Sequence, residues 1–242
     1  MLKKSIDLKS GINLPTKSSD SGDRWMITYA SLLTAVLAFF ILIVMMKNNE
    51  AKSTFEIADN LTREVYKKLS IEKTKHGVDW LEVENTGSMG VRIVIPSVVE
   101  NKSMFRSNSS NISDNFLPYI RSLSMIIKDL ELDKLQQRNK NIIQKLKKQN
   151  KNLSLELLIQ GHTDILPILS GEFTSNWDLS TARSYVFMKL LQDYTGLTSH
   201  IFSIAGYGPF LPKVDIENYS ENRRVEIFIK FQLETSFNYE GI

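Results

Sequence analysis

The chain has no cysteine, which excludes a disulfide framework, zinc–thiolate sites and thiol catalysis. Histidine is nearly as scarce. His76, His162 and His200 stand far apart with no carboxylate cluster beside them in sequence, so no metal site is expected. Charge of one sign is also lacking: the formal net charge is only +3 over 242 residues, which gives no reason to expect a nucleic-acid partner. No nucleophile motif, phosphate loop or catalytic acid pair occurs, so neither an enzyme nor a cofactor is predicted. What is present is a 42% apolar fraction, enough to build a core and too much for wholesale disorder. The length allows one domain of ordinary size with accessory segments.

The most informative absence is local. From Trp25 to Met46 the chain reads WMITYASLLTAVLAFFILIVMM, without Asp, Glu, Lys, Arg or His. At about 1.5 Å per helical residue the stretch spans roughly 33 Å, against a bilayer hydrocarbon core of about 30 Å. It is longer than a signal-peptide apolar region, and no Ala-x-Ala site follows at Lys47–Ser53, so an uncleaved transmembrane helix over 25–46 is predicted. Lys3, Lys4, Lys9, Lys17 and Arg24 precede it, which favours a cytoplasmic tail over 1–24 and an external remainder. Thr28, Ser31, Ala35 and Ala38 recur at helical steps and form a small-residue stripe suited to a partner helix.

Beyond the membrane, Phe55, Ile57, Ala58, Leu61, Val65, Tyr66 and Leu69 have helical spacing. They predict a linker helix over 47–70 before a domain over 71–242. Val91–Ile95, Leu153–Ile159, Phe202–Ala205 and Val225–Phe231 read as strands. Phe116–Leu130, with cap residues at 111–114, and Asp178–Tyr194, stopped near Gly196, read as helices. The Lys-, Gln- and Asn-rich segment 131–152 reads as a helical extension with a solvated face. Strands alternating with helices predict an α/β (α+β) sandwich, one mixed sheet with helices on one face.

Four segments occur in order: LIQGHTD (158–164), SNWDLSTARS (175–184), IAGYG (204–208) and NRRVEI (222–227). Together they resemble the OmpA-like peptidoglycan-binding domain, over roughly residues 90–232; Ser103–Ser113 looks like that family's entry into its first helix. The resemblance implies that Asp164 and Arg183 clasp the diamino acid of a peptidoglycan stem peptide, with Thr163 and Leu179 completing the pocket. The residue types suit a zwitterionic ligand end. A carboxylate pairs with the ammonium, and a guanidinium fork holds the carboxylate. An internal Asp164–Arg183 ion pair is the alternative reading of the same residues. Arg223 and Arg224, in a terminal strand, read as structural.

The apolar helix adds a second resemblance. W-x-I-x-Y-A-x-L-x-T-A-x-x-A-F-F, from Trp25 to Phe40, looks like the membrane helix of the MotB stator family. That resemblance implies an inner-membrane, single-pass, peptidoglycan-anchored subunit, paired with a second copy inside a MotA-like ring, with the linker helix acting as a channel plug. The family places an ion-carrying Asp just after Tyr-Ala, where this chain has Ser31. A hydroxyl does not titrate near neutrality and cannot shuttle protons as a carboxylate does. Three readings follow: a stator subunit (flagellar or related, such as Zorya-type phage defence), a non-conducting membrane-to-wall tether, or an OmpA-domain component of a secretion or envelope complex.

Overall fold

A computed structural model describes residues 21–148, 150–168, 172–215 and 219–235. The predicted cytoplasmic tail lies outside them up to residue 20. The chain divides into two compact units, Met1–Lys52 and Ser53–Ile242, and helix α1 (Ser21–Lys75) contributes to both.

In the first unit, the stretch Trp25–Lys47 has a mean hydropathy of 2.5 and none of it is buried within the protein. A core helix of a soluble protein would bury this surface, since each large apolar side chain gains about 1.5–3 kcal/mol on leaving water. Length and composition fit a membrane span, where a helix satisfies its own backbone. The hydroxyls in the stretch follow the same logic. Ser31 Oγ donates to Ile27 O at 2.8 Å and Thr34 Oγ1 donates to Ser31 O at 2.9 Å, so neither polar group faces lipid unpaired.

The second unit is built on a five-stranded sheet. Its strands are β1 (Glu82–Asn85), β2 (Val91–Pro96), β5 (Lys151–His162), β6 (Phe202–Gly208) and β7 (Arg224–Thr235). Their order is β1-β2-β7-β5-β6. β5 and β6 are parallel, joined through α5 (Asn176–Thr195), as a parallel pair requires. The other pairings are antiparallel. A small ribbon of β3 (Val98–Val99) and β4 (Lys102–Ser103) precedes α2 (Leu117–Asp129).

Strand alternation sorts the two faces of the sheet. Val91, Ile93, Ile95, Leu157, Ile159, Val225, Ile227 and Ile229 point into one core with Phe116, Ile120, Leu123 and Ile127 of α2 and Phe187 and Leu191 of α5. The alternate residues carry a buried charge network. Arg224 Nε donates to Glu226 Oε1 at 2.6 Å, and Arg92 meets Glu226 at 3.7 Å and Glu84 at 2.7 Å. Pairing is what makes charges tolerable at such burial. Arg224 is thus structural, with its acid two residues along its own strand.

Three expectations need correction. The core begins before residue 71: Leu61, Val65 and Leu69 of α1 belong to it, because the apolar stripe read as a linker finds the sheet's helices to pack on. Segment 131–152 is not one helical extension. Glu131 turns left-handed at φ 52°, short helices α3 (Leu135–Arg138) and α4 (Lys140–Lys148) follow, and β5 already starts at Lys151. The expected cap at 111–114 makes no side-chain cap bond. Ser113 instead precedes a 3-10 turn at Asp114–Phe116 and donates its N–H to Met104 O at 2.8 Å.

Helix α5 positions the candidate site, and its start is well specified. Ser175 Oγ accepts from Asp178 N at 3.1 Å and donates to Asp178 Oδ2 at 2.7 Å, a Ser-x-x-Asp variant of the capping box. The helix ends at Gly196 in the left-handed region, φ 72°, where glycine carries no Cβ penalty. Two sheet glycines let it lie close. A Cβ on Gly206 would stand 2.5 Å from Thr181 N, and one on Gly161 would stand 2.6 Å from Ser184 Oγ. The close approach is stitched by hydrogen bonds: Ser184 Oγ donates to Ala205 O at 2.8 Å, and Gly208 N donates to Ser180 Oγ at 3.0 Å.

Candidate functional site

Where β5 ends, the chain leaves the sheet at Thr163 and Asp164. Opposite stand the first turns of α5, with Leu179 and, one turn on, Arg183. The residues before β7 bring Arg223 alongside, and the loop after β4 brings Phe105, Arg106 and Asn108. Together these elements wall a pocket of about 700 Å³. All four residues predicted for the pocket line it: Thr163, Asp164, Leu179 and Arg183.

The expected Asp164–Arg183 opposition takes a particular form. Among the described residues the two do not form an ion pair with each other. Asp164 Oδ2 accepts from Arg223 Nη1 at 2.8 Å, and Oδ1 accepts from Leu166 N at 3.2 Å. The loop is tied down further by Asn176 Nδ2, which donates to Leu166 O at 2.8 Å. Asp164 itself is nearly buried, 7% exposed, so its rotamer is set by these partners before any ligand arrives.

Arg183 is held by different means. Its Nε donates to Ser109 O at 3.1 Å, and its guanidinium carbon lies 4.7 Å from the centre of the Phe105 ring. The stack and the single backbone bond fix the plane of the fork. Burial, and then the neighbouring Arg223 charge, push the Arg183 pKa down to about 10, with Asp164 opposing the shift. It therefore stays cationic at neutral pH. A guanidinium so placed and, among the described residues, without a carboxylate partner of its own is suited to binding an external carboxylate.

Two buried hydroxyls in the pocket wall add to this. Thr163 Oγ1 and Ser97 Oγ are both inaccessible and unpaired, and both residues line the pocket. An unmet buried polar group costs about 1–3 kcal/mol. Leu179, 4% exposed, gives the apolar wall.

Sequence reasoning missed Arg223, Ser97 and Phe105. Arg223 was visible in NRRVEI but read as structural. Its place in the pocket depends on β7 running beside β5, with His162 opposite Arg224, which sets Arg223 next to the end of β5. Ser31, the predicted channel-facing position, belongs to the first unit, exposed on the apolar stretch of α1.

Comparison with known proteins reaches both units. Residues 13–65 match the family described as membrane MotB of the proton-channel complex MotA/MotB. Motility protein B of Bacillus subtilis (strain 168) is 28% identical over 238 residues, covering 86% of this chain and 90% of that protein. The chain is similar to MotB over most of its length. Motility protein B of Helicobacter pylori (strain 26695) is 24% identical over 241 residues, covering 89% and 88% respectively. In fold, the chain resembles the crystal structure of a MotB-like protein from Desulfovibrio vulgaris, with a TM-score of 0.54 and 20% identity over 78% of this chain and 99% of that one. The MotB-like match and the apolar helix near the N-terminus, the one such helix among the described residues, fit a membrane-anchored protein related to flagellar stators.

Proposed function

We propose that the chain is the wall-gripping subunit of a MotB-like stator complex. The apolar helix of α1 anchors it in the inner membrane with the N-terminus in the cytoplasm. The pocket at Asp164 and Arg183 holds a peptidoglycan stem peptide by the zwitterionic end of its diamino acid, and the role is binding rather than catalysis. A MotA-like partner completes the assembly, as the MotA/MotB description of the matching family suggests, together with a second copy of the chain.

The observation that carries the wall-binding role is that Asp164 and Arg183 line one pocket without neutralising each other. Arg183, stacked on Phe105, keeps its charge for a ligand carboxylate, while the Asp164 carboxylate is shared with Arg223, so a ligand ammonium joins that pair rather than meeting a free anion. Co-sedimentation of the detergent-solubilised chain with purified sacculi tests the reading. The unsubstituted protein should pellet, whereas Asp164→Ala and Arg183→Ala should stay in the supernatant. Equal pelleting of all three would overturn the site assignment.

A second reading is favoured by Ser31. With its hydroxyl donated to Ile27 O and no acid between Arg24 and Lys47, the apolar stretch has no carboxylate to carry a proton. On this reading the assembly forms, yet serves as a membrane-to-wall tether that conducts protons poorly.

A further inference from the structure

Outside the pocket, the fold gathers three metal-ligating side chains that the sequence leaves apart. Glu72 lies on the last turn of α1 and His76 just past its end, where His76 N–H still donates to Glu72 O at 3.0 Å, so the two keep helical i, i+4 spacing and share a face. Asp129, the last residue of α2, closes on them from a second element. His76 Nε2 lies 3.2 Å from Asp129 Oδ2 and 3.7 Å from Glu72 Oε2, and the three ligand atoms all fall within 4.8 Å of one another. Tetrahedral coordination with zinc–nitrogen and zinc–oxygen bonds of 2.0–2.2 Å separates ligand atoms by roughly 3.3–3.6 Å. The two histidine spacings bracket that value. We infer that Glu72, His76 and Asp129 form a binding site for a zinc-class divalent ion, which ties the end of α1 to the end of α2.

The chemistry favours a transition metal. An imidazole beside two carboxylates is a borderline donor set, suited to zinc rather than to calcium or magnesium, which take oxygen alone. Two carboxylates outweigh one imidazole, and the site already attracts a cation. Lys75 Nζ lies 2.9 Å from Glu72 Oε2 and 3.8 Å from Asp129 Oδ2. Its side chain is 61% exposed, so the flexible ammonium can swing into solvent when a divalent ion takes its place. Access is open, because Glu72, Lys75 and Asp129 line a groove with Lys68 and Glu131. Three protein ligands leave the fourth position for water.

The test is calorimetric titration of the full chain in detergent with zinc chloride alone, far-UV circular dichroism confirming helix content for each variant. One saturable site is expected. Glu72→Gln, His76→Ala and Asp129→Asn should each weaken it by about 10-fold or more, the scale that even outer-shell partners of a metal command. Lys75→Ala should bind more tightly than the unsubstituted chain, since the competing ammonium is gone, and His200→Ala should bind as before. No saturable zinc binding by the unsubstituted chain would overturn the inference. So would an affinity unmoved by His76→Ala and Asp129→Asn, or one lowered by Lys75→Ala.

Discussion

Gly206→Ala probes how the fold sets the pocket. The added methyl would stand 2.5 Å from Thr181 N and 2.7 Å from Ser180 Oγ, whereas ordinary contact begins near 3.4 Å. The Thr181 hydroxyl stands nearer still and can rotate, but the Thr181 nitrogen is helix backbone and cannot. Helix α5 must therefore withdraw from β6 by about 0.9 Å, the gap between 2.5 Å and 3.4 Å. Overpacking of this kind costs about 1–3 kcal/mol, and in a chain of this size each kcal/mol lowers Tm by roughly 2–4 °C. A drop of about 2–12 °C follows from those two scales. The functional consequence is sharper. Thr181 lies two residues before Arg183, so the same shift stretches the Arg183–Ser109 bond from its 3.1 Å and carries the guanidinium away from Asp164. Thermal melts followed by circular dichroism, paired with sacculus sedimentation at 20 °C, report both effects. A variant with unchanged Tm and full sedimentation would refute the argument that close α5–β6 packing positions Arg183.

The remaining predictions concern protons and topology. Burial, then Arg224 and Arg92, push the His162 pKa from 6.5 to about 3. The folded chain keeps this imidazole neutral where the unfolded chain protonates it, so stability is full above about pH 6.5 and falls by up to about 1.4 kcal/mol per pH unit as pH drops toward 3. His162→Phe, which keeps the stack on Tyr207 and gives up two ring nitrogens that have no partner, should flatten denaturation midpoints between pH 6 and 4; an unchanged slope would assign the acid sensitivity elsewhere. Ser31→Asp, produced with a MotA-like partner and with residues 49–55 deleted, should acidify the cytoplasm faster than the Ser31 chain carrying the same deletion, a cut of about two helical turns that spares Leu61, Val65 and Leu69. Equal acidification would show that the proton path does not depend on this position. Reporter fusions at Ser5 and at Ser236 should light on opposite sides of the membrane, and matching sides would refute the single-pass anchor.

Which parts were legible in the sequence follows from where each signal resides. Val225–Phe231 and Leu153–Ile159 announced themselves because their apolar residues line the core face of a sheet. β1 did not: Glu82–Asn85 reads EVEN, an acidic edge strand recognisable only through its pairing with β2. The Lys- and Gln-rich run after α2 consists of good helix formers, and nothing local shows that Glu131 and Asn150 take positive φ so that β5 can begin. In the pocket, Asp164 and Arg183 were readable because a motif carries them. The pairing of Asp164 with Arg223 was not, since the partners are brought together by strand register across 59 residues. The same holds for Asp129, which reaches Glu72 and His76 only once α2 packs beside α1.

The central claim is that Asp164 and Arg183 grip a zwitterionic stem-peptide end, and calorimetric titration with a soluble muropeptide bearing a diamino acid tests it most directly. Charge-assisted hydrogen bonds are worth about 1.5–3 kcal/mol each, so Asp164→Asn and Arg183→Lys should each weaken binding by about 10-fold or more, Arg183→Lys because it keeps the charge but loses the planar fork. Muropeptide binding of equal strength by the unsubstituted chain and both variants would contradict the account.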